Sequence, residues 1–510
     1  MPNSARKLVT GSTMRLTTTV ATALVSILLM PFVVHRLGDR MYGIWTLVAT
    51  FVGYYGILDL GLSSAITRYL ARAAGAADTA TANQLFNTAL RIFSGLALLV
   101  VLVSGIIAAL SGRLTRNPED AALLFRIVLV LGVSVAISFP LRVFTGVLES
   151  HLRFDLTASF DLLSLILRSG LTVVVLLAGY SVVGLAWVTF LSGLPAVALY
   201  VYFTHREMPF LRFQWGQWNR TTARSLFSYS VYSLVAQLAD LLRFRLDAVV
   251  VAAYLGFSAV THYRIGSTLL QYFMLLMSSL MGVFPSVFSR QEGASDFEGL
   301  KKTFYFATKV STGVACFVGF GLIAWGKAFI GRWMGPQYLD AYPVLVVLVS
   351  GMTVSLIQGP SISLLYGTSR HKFVALFNSI EGIANLVLSL IFVRYFGMLG
   401  VALGTMVPML ISKVVVQPIY VCRVAQIEYW DYMRRMGSTL LVALGGLVIP
   451  FLVTQRFSQP DYRVLCAIGT LSLVSYGLIF WKFGLSSSEA QTLGGAIWPR
   501  LLAKKETVSG

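Results

Sequence analysis

Charge is what this sequence has least of. Asp, Glu, Lys and Arg together make up 12% of its 510 residues, about half the share of an ordinary soluble domain. Cysteine is scarce too. Cys316, Cys422 and Cys466 each stand alone in an apolar stretch, with no CxxC and no histidine at ligand spacing, so neither a disulfide framework nor a zinc site is supported. The five histidines are scattered, and no Ser-His-Asp or paired-carboxylate pattern stands out. Polar connections reach only about twenty residues, which leaves no room for a soluble domain. The net charge of +19, from 40 basic and 21 acidic residues, therefore does not read as a nucleic-acid surface. It reads as loop Lys and Arg facing anionic headgroups. No cofactor, no metal and no nucleic-acid partner is expected.

What fills the chain is hydrocarbon. The hydrophobic share is 56% and the mean hydropathy +0.76, so the bilayer must be its solvent. The reading is an all-α membrane protein of about fourteen transmembrane helices. Apolar runs lie near residues 12–34, 42–66, 86–110, 121–147, 157–179 and 181–204, then 225–253, 261–289, 304–327, 342–367, 373–395 and 398–422. Two more lie near 436–455 and 463–483. Arg6, Lys7 and Arg15, followed by an apolar run to Val34, imitate a secretory signal, but the run is too long for a signal core and is read as a retained helix. Basic clusters at Arg206, Arg212, Arg220 and Arg224, at Arg423, Arg434 and Arg435, and at Arg500, Lys504 and Lys505 fall on one side. That side is read as cytoplasmic, with both termini. The segment 205–224 mixes those arginines with Phe210, Phe213, Trp215 and Trp218. It reads either as an interfacial segment along the headgroups or as a plain linker between half-domains.

The chain repeats itself. Leu37-Gly38 recurs as Leu255-Gly256, a spacing of 218 residues, and Arg72, Gly75, Phe86 and Gly95 meet Arg290, Gly293, Phe304 and Gly313 at the same spacing. Pro140 meets Pro360 and His151 meets His371 at 220, and Val183-Gly184-Leu185-Ala186 meets Leu399-Gly400-Val401-Ala402 at 216. Two copies of a six-helix unit explain this. Six is an even number, so the copies share one membrane orientation and imply a pseudo-two-fold axis along the membrane normal. The expected domains are 1–204 as the N-terminal lobe, 205–224 as the linker, 225–422 as the C-terminal lobe, and 423–510 as two added helices with a tail.

Pro31 to Ala71 reads PFVVHRLGDRMYGIWTLVATFVGYYGILDLGLSSAITRYLA. It resembles the opening of the bacterial polysaccharide-biosynthesis proteins, the lipid-linked oligosaccharide flippases, whose superfamily also holds multidrug extruders and lipid II flippases. The shared features are Leu37-Gly38, Gly43 and Asp59-Leu60-Gly61. LGFSAVTHY and FGMLGVALG in the second half also look like the family. One departure is Thr261, where the position equivalent to Gly43 would carry glycine. The resemblance implies two six-helix lobes around a cavity lined chiefly by the first two helices of each. It implies alternating access that moves a polyprenyl-diphosphate-linked glycan to the outer leaflet, and as partners that glycan, membrane lipids and other polysaccharide assembly proteins.

Charges inside the spans sharpen the expectation, because each costs about 2.5–3.5 kcal/mol at a helix centre. They are Arg15, Asp59, Arg126, Arg142, Asp161, Arg168, Asp240, Arg243, Arg245, Asp247, Arg264, Glu381 and Lys413. Asp240, Arg243 and Asp247 share one helix face at ion-pair spacing. They either neutralise one another or line the lumen, with Arg245 or Arg264 left to meet an anion. Arg15 either snorkels to the interface or meets the diphosphate. Asp59 either holds a helix end or binds a coupling ion, a role for which Asp240 is the other candidate. Arg168, Asp161, Lys413 and Glu381 read as ion pairs within a lobe or as further lumen residues. Tyr54, Tyr55, Tyr263, Tyr272 and Phe273 offer faces for sugars, or packing. A pyrophosphate needs positive charge and directional donors, which arginine supplies, whereas a cation extruder would show the opposite bias. A lipid II flippase or a multidrug antiporter on the same fold remains the alternative. A membrane-embedded glycan polymerase would need a large outer loop, and none exceeds about fifteen residues on these spans.

Overall fold

The computed structural model describes residues 2–76, 78–115, 117–214, 218–227, 237–238, 241, 245–454, 461–486 and 489. Among them the chain is helical, with no strand. Two compact units form, Met1–Thr261 and His262–Gly510.

The first unit runs α1 (Pro2–Leu37), α2 (Asp39–Tyr54), α3 (Leu62–Gly75), α4 (Thr79–Ala109), α5 (Ser111–Leu114), α6 (Pro118–Ser150), α7 (Phe154–Leu177), α8 (Val182–Glu207) and α9 (Asp247–Leu255). Aromatic residues lock α4 to α6, through Phe86 on Phe144 at 5.4 Å and Phe93 on Phe139 at 6.1 Å between ring centres. The second unit takes up α10 (Phe257–Met281), whose first turn belongs to the first, then α11 (Phe284–Gly293), α12 (Phe297–Trp333), α13 (Ala341–Ile357), α14 (Gly359–Gly367), α15 (His371–Ile411), α16 (Gln417–Ala425), α17 (Tyr429–Gly446), α18 (Val448–Thr454) and α19 (Tyr462–Phe483). The added helices dock on α12. Tyr432 stacks on Phe304, and the Tyr476 hydroxyl donates to the Gly313 carbonyl at 2.8 Å. Leu28, Leu98, Leu441 and Leu478 stand more than two-thirds exposed, as lipid-facing side chains do and water-facing ones rarely do.

Among the described residues eleven helices are long and apolar enough to span, twelve if the bent pair α13–α14 is one span. One of the eleven is the 54-residue stretch Lys372–Ala425, which as a straight helix would reach about 80 Å, far beyond a bilayer. Gly397 at φ 58°, ψ −135° turns it back on itself. Gly400 and Gly404 allow the two arms to close. A Cβ on Gly400 would lie 2.1 Å from the Phe392 carbonyl oxygen, and one on Gly404 would lie 2.3 Å from Ser389 Oγ. This hairpin holds both expected spans 373–395 and 398–422. The expected span 225–253 falls largely outside the described residues, so the figure of fourteen rests on it.

Two expected spans are not continuous helices. The run 42–66 breaks at the Asp59-Leu60-Gly61 motif, where a 3₁₀ turn ends and Leu60 (φ 53°) and Gly61 (φ 76°) both adopt left-handed conformations. An α-helix cannot pass through two such residues. The run 342–367 bends by 42° at Gln358, just before Pro360, whose ring removes a backbone donor.

The repeat is visible in backbone angles. Gly38 (φ 76°) and Gly256 (φ 87°) match, as do Gly179 (φ 84°) and Gly397 (φ 58°). Asp78 caps α4 by accepting from Thr81 N at 2.9 Å, and Asp296, 218 residues on, caps α12 by accepting from Gly299 N at 2.8 Å. One pairing is corrected. Leu152 and Ser369 are the equivalent left-handed residues, each followed by an amide that closes the helix end, Arg153 N to Leu148 O and Arg370 N to Leu365 O. His151 therefore corresponds to Thr368 rather than to His371.

Within the first unit the two equivalent turns touch reciprocally. A Cβ on Gly43 would lie 1.8 Å from the Phe257 carbonyl oxygen, so only glycine fits there. Thr261, which is fully buried, donates its hydroxyl to the Asp39 carbonyl at 2.7 Å. Residues 43 and 261 are equivalent, as are 39 and 257, and each pair contacts the other across a local two-fold. The missing glycine is explained, because threonine's hydroxyl makes the close contact as a hydrogen bond.

Candidate functional site

The residues expected to line a path fall into three groups. Asp240 and Arg243 lie outside the described residues, and of Arg15 only its place in α1 is described. The proposed triad on one helix face is thus represented by Asp247, buried in the first turn of α9. Arg245 sits in the turn just before it. Its guanidinium lies against Gly53 of α2, where a Cβ would come within 1.8 Å of Nη1. The Tyr54 hydroxyl donates to the Arg245 carbonyl at 2.9 Å. Glycine at 53 thus clears the space for a side chain that remains exposed and enters no ion pair among the described residues.

Asp59 accepts from Ser63 N at 3.1 Å and from Ser63 Oγ at 2.9 Å, so it holds the start of α3 just after the left-handed break. Its other oxygen meets Arg142 Nη1 of α6 at 2.7 Å, and that guanidinium lies 4.8 Å above the Phe139 ring. Two charges that sequence spacing could not connect thus form one pair. On α7, the Tyr200 hydroxyl donates to Asp161 Oδ1 at 3.3 Å. Arg168, on the same face, is exposed, and no hydrogen bond or ion pair to it occurs among the described residues.

In the second unit, Arg264 Nη2 donates to the neutral Gln271 Oε1 at 3.2 Å. Lys413 and Glu381 meet at 3.7 Å with both side chains almost wholly buried. Lys413 lies in a single π-helical turn, Ser412–Val416, a local widening common at functional positions. Its ammonium donates to Gln417 Oε1 at 2.9 Å, and Gln417 Nε2 donates to the Gln358 carbonyl at 3.2 Å. That carbonyl is at the bend between α13 and α14. Gln358 Oε1 accepts from Ser361 at 2.8 Å and Tyr432 at 3.1 Å. The chain of polar groups therefore runs from the α15 hairpin to α17. Gln358, Gln417 and Tyr432 were not singled out from the sequence. Glutamines beside Pro360 and Pro418 in apolar helices were the available signal.

Among the aromatic candidates, Tyr55, Tyr263 and Phe273 are buried and serve as packing. Tyr55 shares a hydrogen bond with Ser104 at 2.6 Å. Tyr54 and Tyr272 are partly exposed. The connecting segment is tied to α4, for Arg212 N donates to Asn83 Oδ1 at 3.1 Å, Gln214 N to Asn87 Oδ1 at 2.7 Å, and Asn87 Nδ2 to the Arg212 carbonyl at 2.9 Å. Met208 and Leu211 are buried beneath it while Phe210, Phe213 and Trp218 stay partly exposed. Trp215 lies outside the described residues.

Residues 12–343 match the family described as polysaccharide biosynthesis protein. The chain belongs to that family. It is 23% identical over 487 residues to the uncharacterized membrane protein EpsK of Bacillus subtilis, covering 93% of this chain and 95% of EpsK. It is 20% identical over 414 residues to a putative O-antigen transporter of Shigella flexneri, covering 78% and 94%. Among solved structures, the lipid II flippase MurJ in an inward closed conformation superposes with a TM-score of 0.72 at 15% identity, covering 93% of this chain and 99% of MurJ. At that identity the likeness establishes the fold, a multi-pass helical membrane architecture shared across transporters.

Proposed function

We propose that this polysaccharide biosynthesis protein is a flippase. It moves a polyprenyl-diphosphate-linked oligosaccharide or repeat unit from the cytoplasmic to the outer leaflet by alternating access, for O-antigen, capsule or exopolysaccharide. Its place is the bacterial inner membrane, with both termini cytoplasmic, two six-helix lobes and two added helices. Family membership over residues 12–343 carries the reading, and the relative named as an O-antigen transporter supports it. The charge pattern agrees. Arg245 and Arg264 are embedded arginines without a carboxylate partner among the described residues, which suits a diphosphate and opposes a cation antiporter. Asp59 is engaged by Arg142, which favours its role as a helix anchor over that of a free ion site. The glycan, lipids and other assembly proteins are the proposed partners.

The test is Arg245→Ala and Arg264→Ala in cells whose surface glycan depends on this chain. Loss of glycan at normal membrane levels of protein is expected. Normal glycan in both variants would remove these arginines from the path.

A further inference from the structure

Among the described residues Arg168 has no counter-charge, where one is most needed. It is the fifteenth residue of the 24-residue helix α7, about 4 Å from the helix midpoint at 1.5 Å per residue. An arginine there costs about 2.5–3.5 kcal/mol in hydrocarbon unless it finds water or a partner. Snorkelling does not rescue it. The nearer helix end is the C-terminal one, whereas side chains on a helix lean toward the N-terminus, along the longer way out.

The faces of α7 decide what Arg168 meets. At 100° per residue, Ile166, Val174 and Leu177 lie about 120–180° around the helix from Arg168. They are 59%, 61% and 57% exposed, as a lipid-facing stripe would be. Ala158, Leu165, Thr172 and Leu176, which are buried, form the packing face. Arg168 belongs to a third face with Asp161 and Ser164, each within about 40° of it. Asp161 and Arg168 are exposed and Ser164 partly so. A face that is accessible, carries Asp161 and Arg168 and is turned away from Ile166, Val174 and Leu177 is where water would be expected.

We propose that this face of α7 is a water-filled track at mid-membrane, and that Arg168 is a contact for the diphosphate of the substrate as it passes. The proposal rests on the flippase reading for its ligand, and on α7 alone for the track. The planar guanidinium offers paired donors to phosphate oxygens, and Asp161, two turns toward the helix N-terminus, repels the same anion and keeps it from settling there.

The experiment uses the full chain with Cys316, Cys422 and Cys466 replaced by serine. A probe cysteine is placed by Ser164→Cys, one turn from an intact Arg168, or by Val174→Cys on the lipid stripe. Membranes are treated with an anionic, membrane-impermeant thiol reagent. Labelling at 164 and none at 174 is expected. Equal silence at both positions would place Arg168 in lipid and overturn the track. Undecaprenyl diphosphate in the vesicles is expected to abolish labelling at 164, and to lose that effect in Arg168→Gln but not in Arg168→Lys. Phosphatidylglycerol alone should leave labelling intact. Protection that survives Arg168→Gln, or that phosphatidylglycerol equals, would overturn the diphosphate contact. The flippase reading fails on a separate observation, namely that the unmodified chain does not restore surface glycan to a flippase-deficient strain.

Discussion

The buried pair in the α15 hairpin allows the most quantitative test. Lys413 and Glu381 are 3.7 Å apart and 1% and 3% exposed. Their Coulomb attraction at an effective dielectric of 20 is about 4.5 kcal/mol, most of it spent on taking both charges out of solvent. Removing one partner leaves the other buried without its opposite charge, and Lys413→Met should cost about 3–5 kcal/mol. Removing both should cost far less, since replacing a buried pair by apolar groups of similar volume is often neutral. The double variant Lys413→Met with Glu381→Leu should therefore recover most of the loss. Equilibrium unfolding in mixed micelles would compare the four members of the cycle, with coupling read as the departure from additivity. Full additivity, or a Lys413→Met protein as stable as the parent, would refute the reasoning. It would mean that water or the amides of Gln417 and its neighbours already solvate each charge.

Further outcomes follow from single contacts. Gly43→Val should be disruptive out of proportion to its size, because its Cβ meets the fixed Phe257 carbonyl. A cost of about 1–3 kcal/mol is expected, read as reduced thermal stability, while Gly95→Ala, with nothing within 4 Å of its Cβ, should be silent. Asn87→Ala removes both hydrogen bonds to 212 and 214 and should raise protease cleavage in the connecting segment, with Gln84→Ala as the control. Asp431, at the cytoplasm-facing start of α17 in the proposed orientation, has its carboxyl held below the usual range by the Tyr305 hydroxyl and then by Arg435. A depressed folded pKa contributes stability above the unfolded value that is lost as pH falls through the folded one. Asp431→Asn should therefore abolish the acid-induced loosening of this end of α17, measured by hydrogen exchange.

Much of the fold was legible because lipid imposes it. Twenty-residue apolar runs have few alternatives, and the Leu-Gly repeat exposed the two copies. The breaks were not legible. Asp59-Leu60-Gly61 sits inside an unbroken apolar run, and hydropathy does not register that Leu60 and Gly61 take positive φ. Partners were the second blind spot. Periodicity connects residues on one helix, so it could suggest Asp240 with Arg243 but not Asp59 of the α2–α3 break with Arg142 of α6. Lys413 with Glu381 came within reach only because their two spans are neighbours in the chain. Buried glutamines such as Gln358 carry no charge to mark them, although their unmet donors would be as costly in hydrocarbon.

The pattern of pairing bears on the proposed path. Charges that secure the fold found partners across helices, as Asp59 did with Arg142, Lys413 with Glu381, and the loop residue Arg153 with Glu207 at the end of α8. Arg126, Arg168, Arg245 and Arg264 have none of opposite sign among the described residues. A chain that pairs embedded charges this way, yet leaves four arginines unpaired among its described residues, retains an excess of one sign there. In a bilayer an uncompensated arginine persists only where something else supplies the anion or the water. An excess of embedded arginine therefore fits the proposed passage of an anion better than that of a cation.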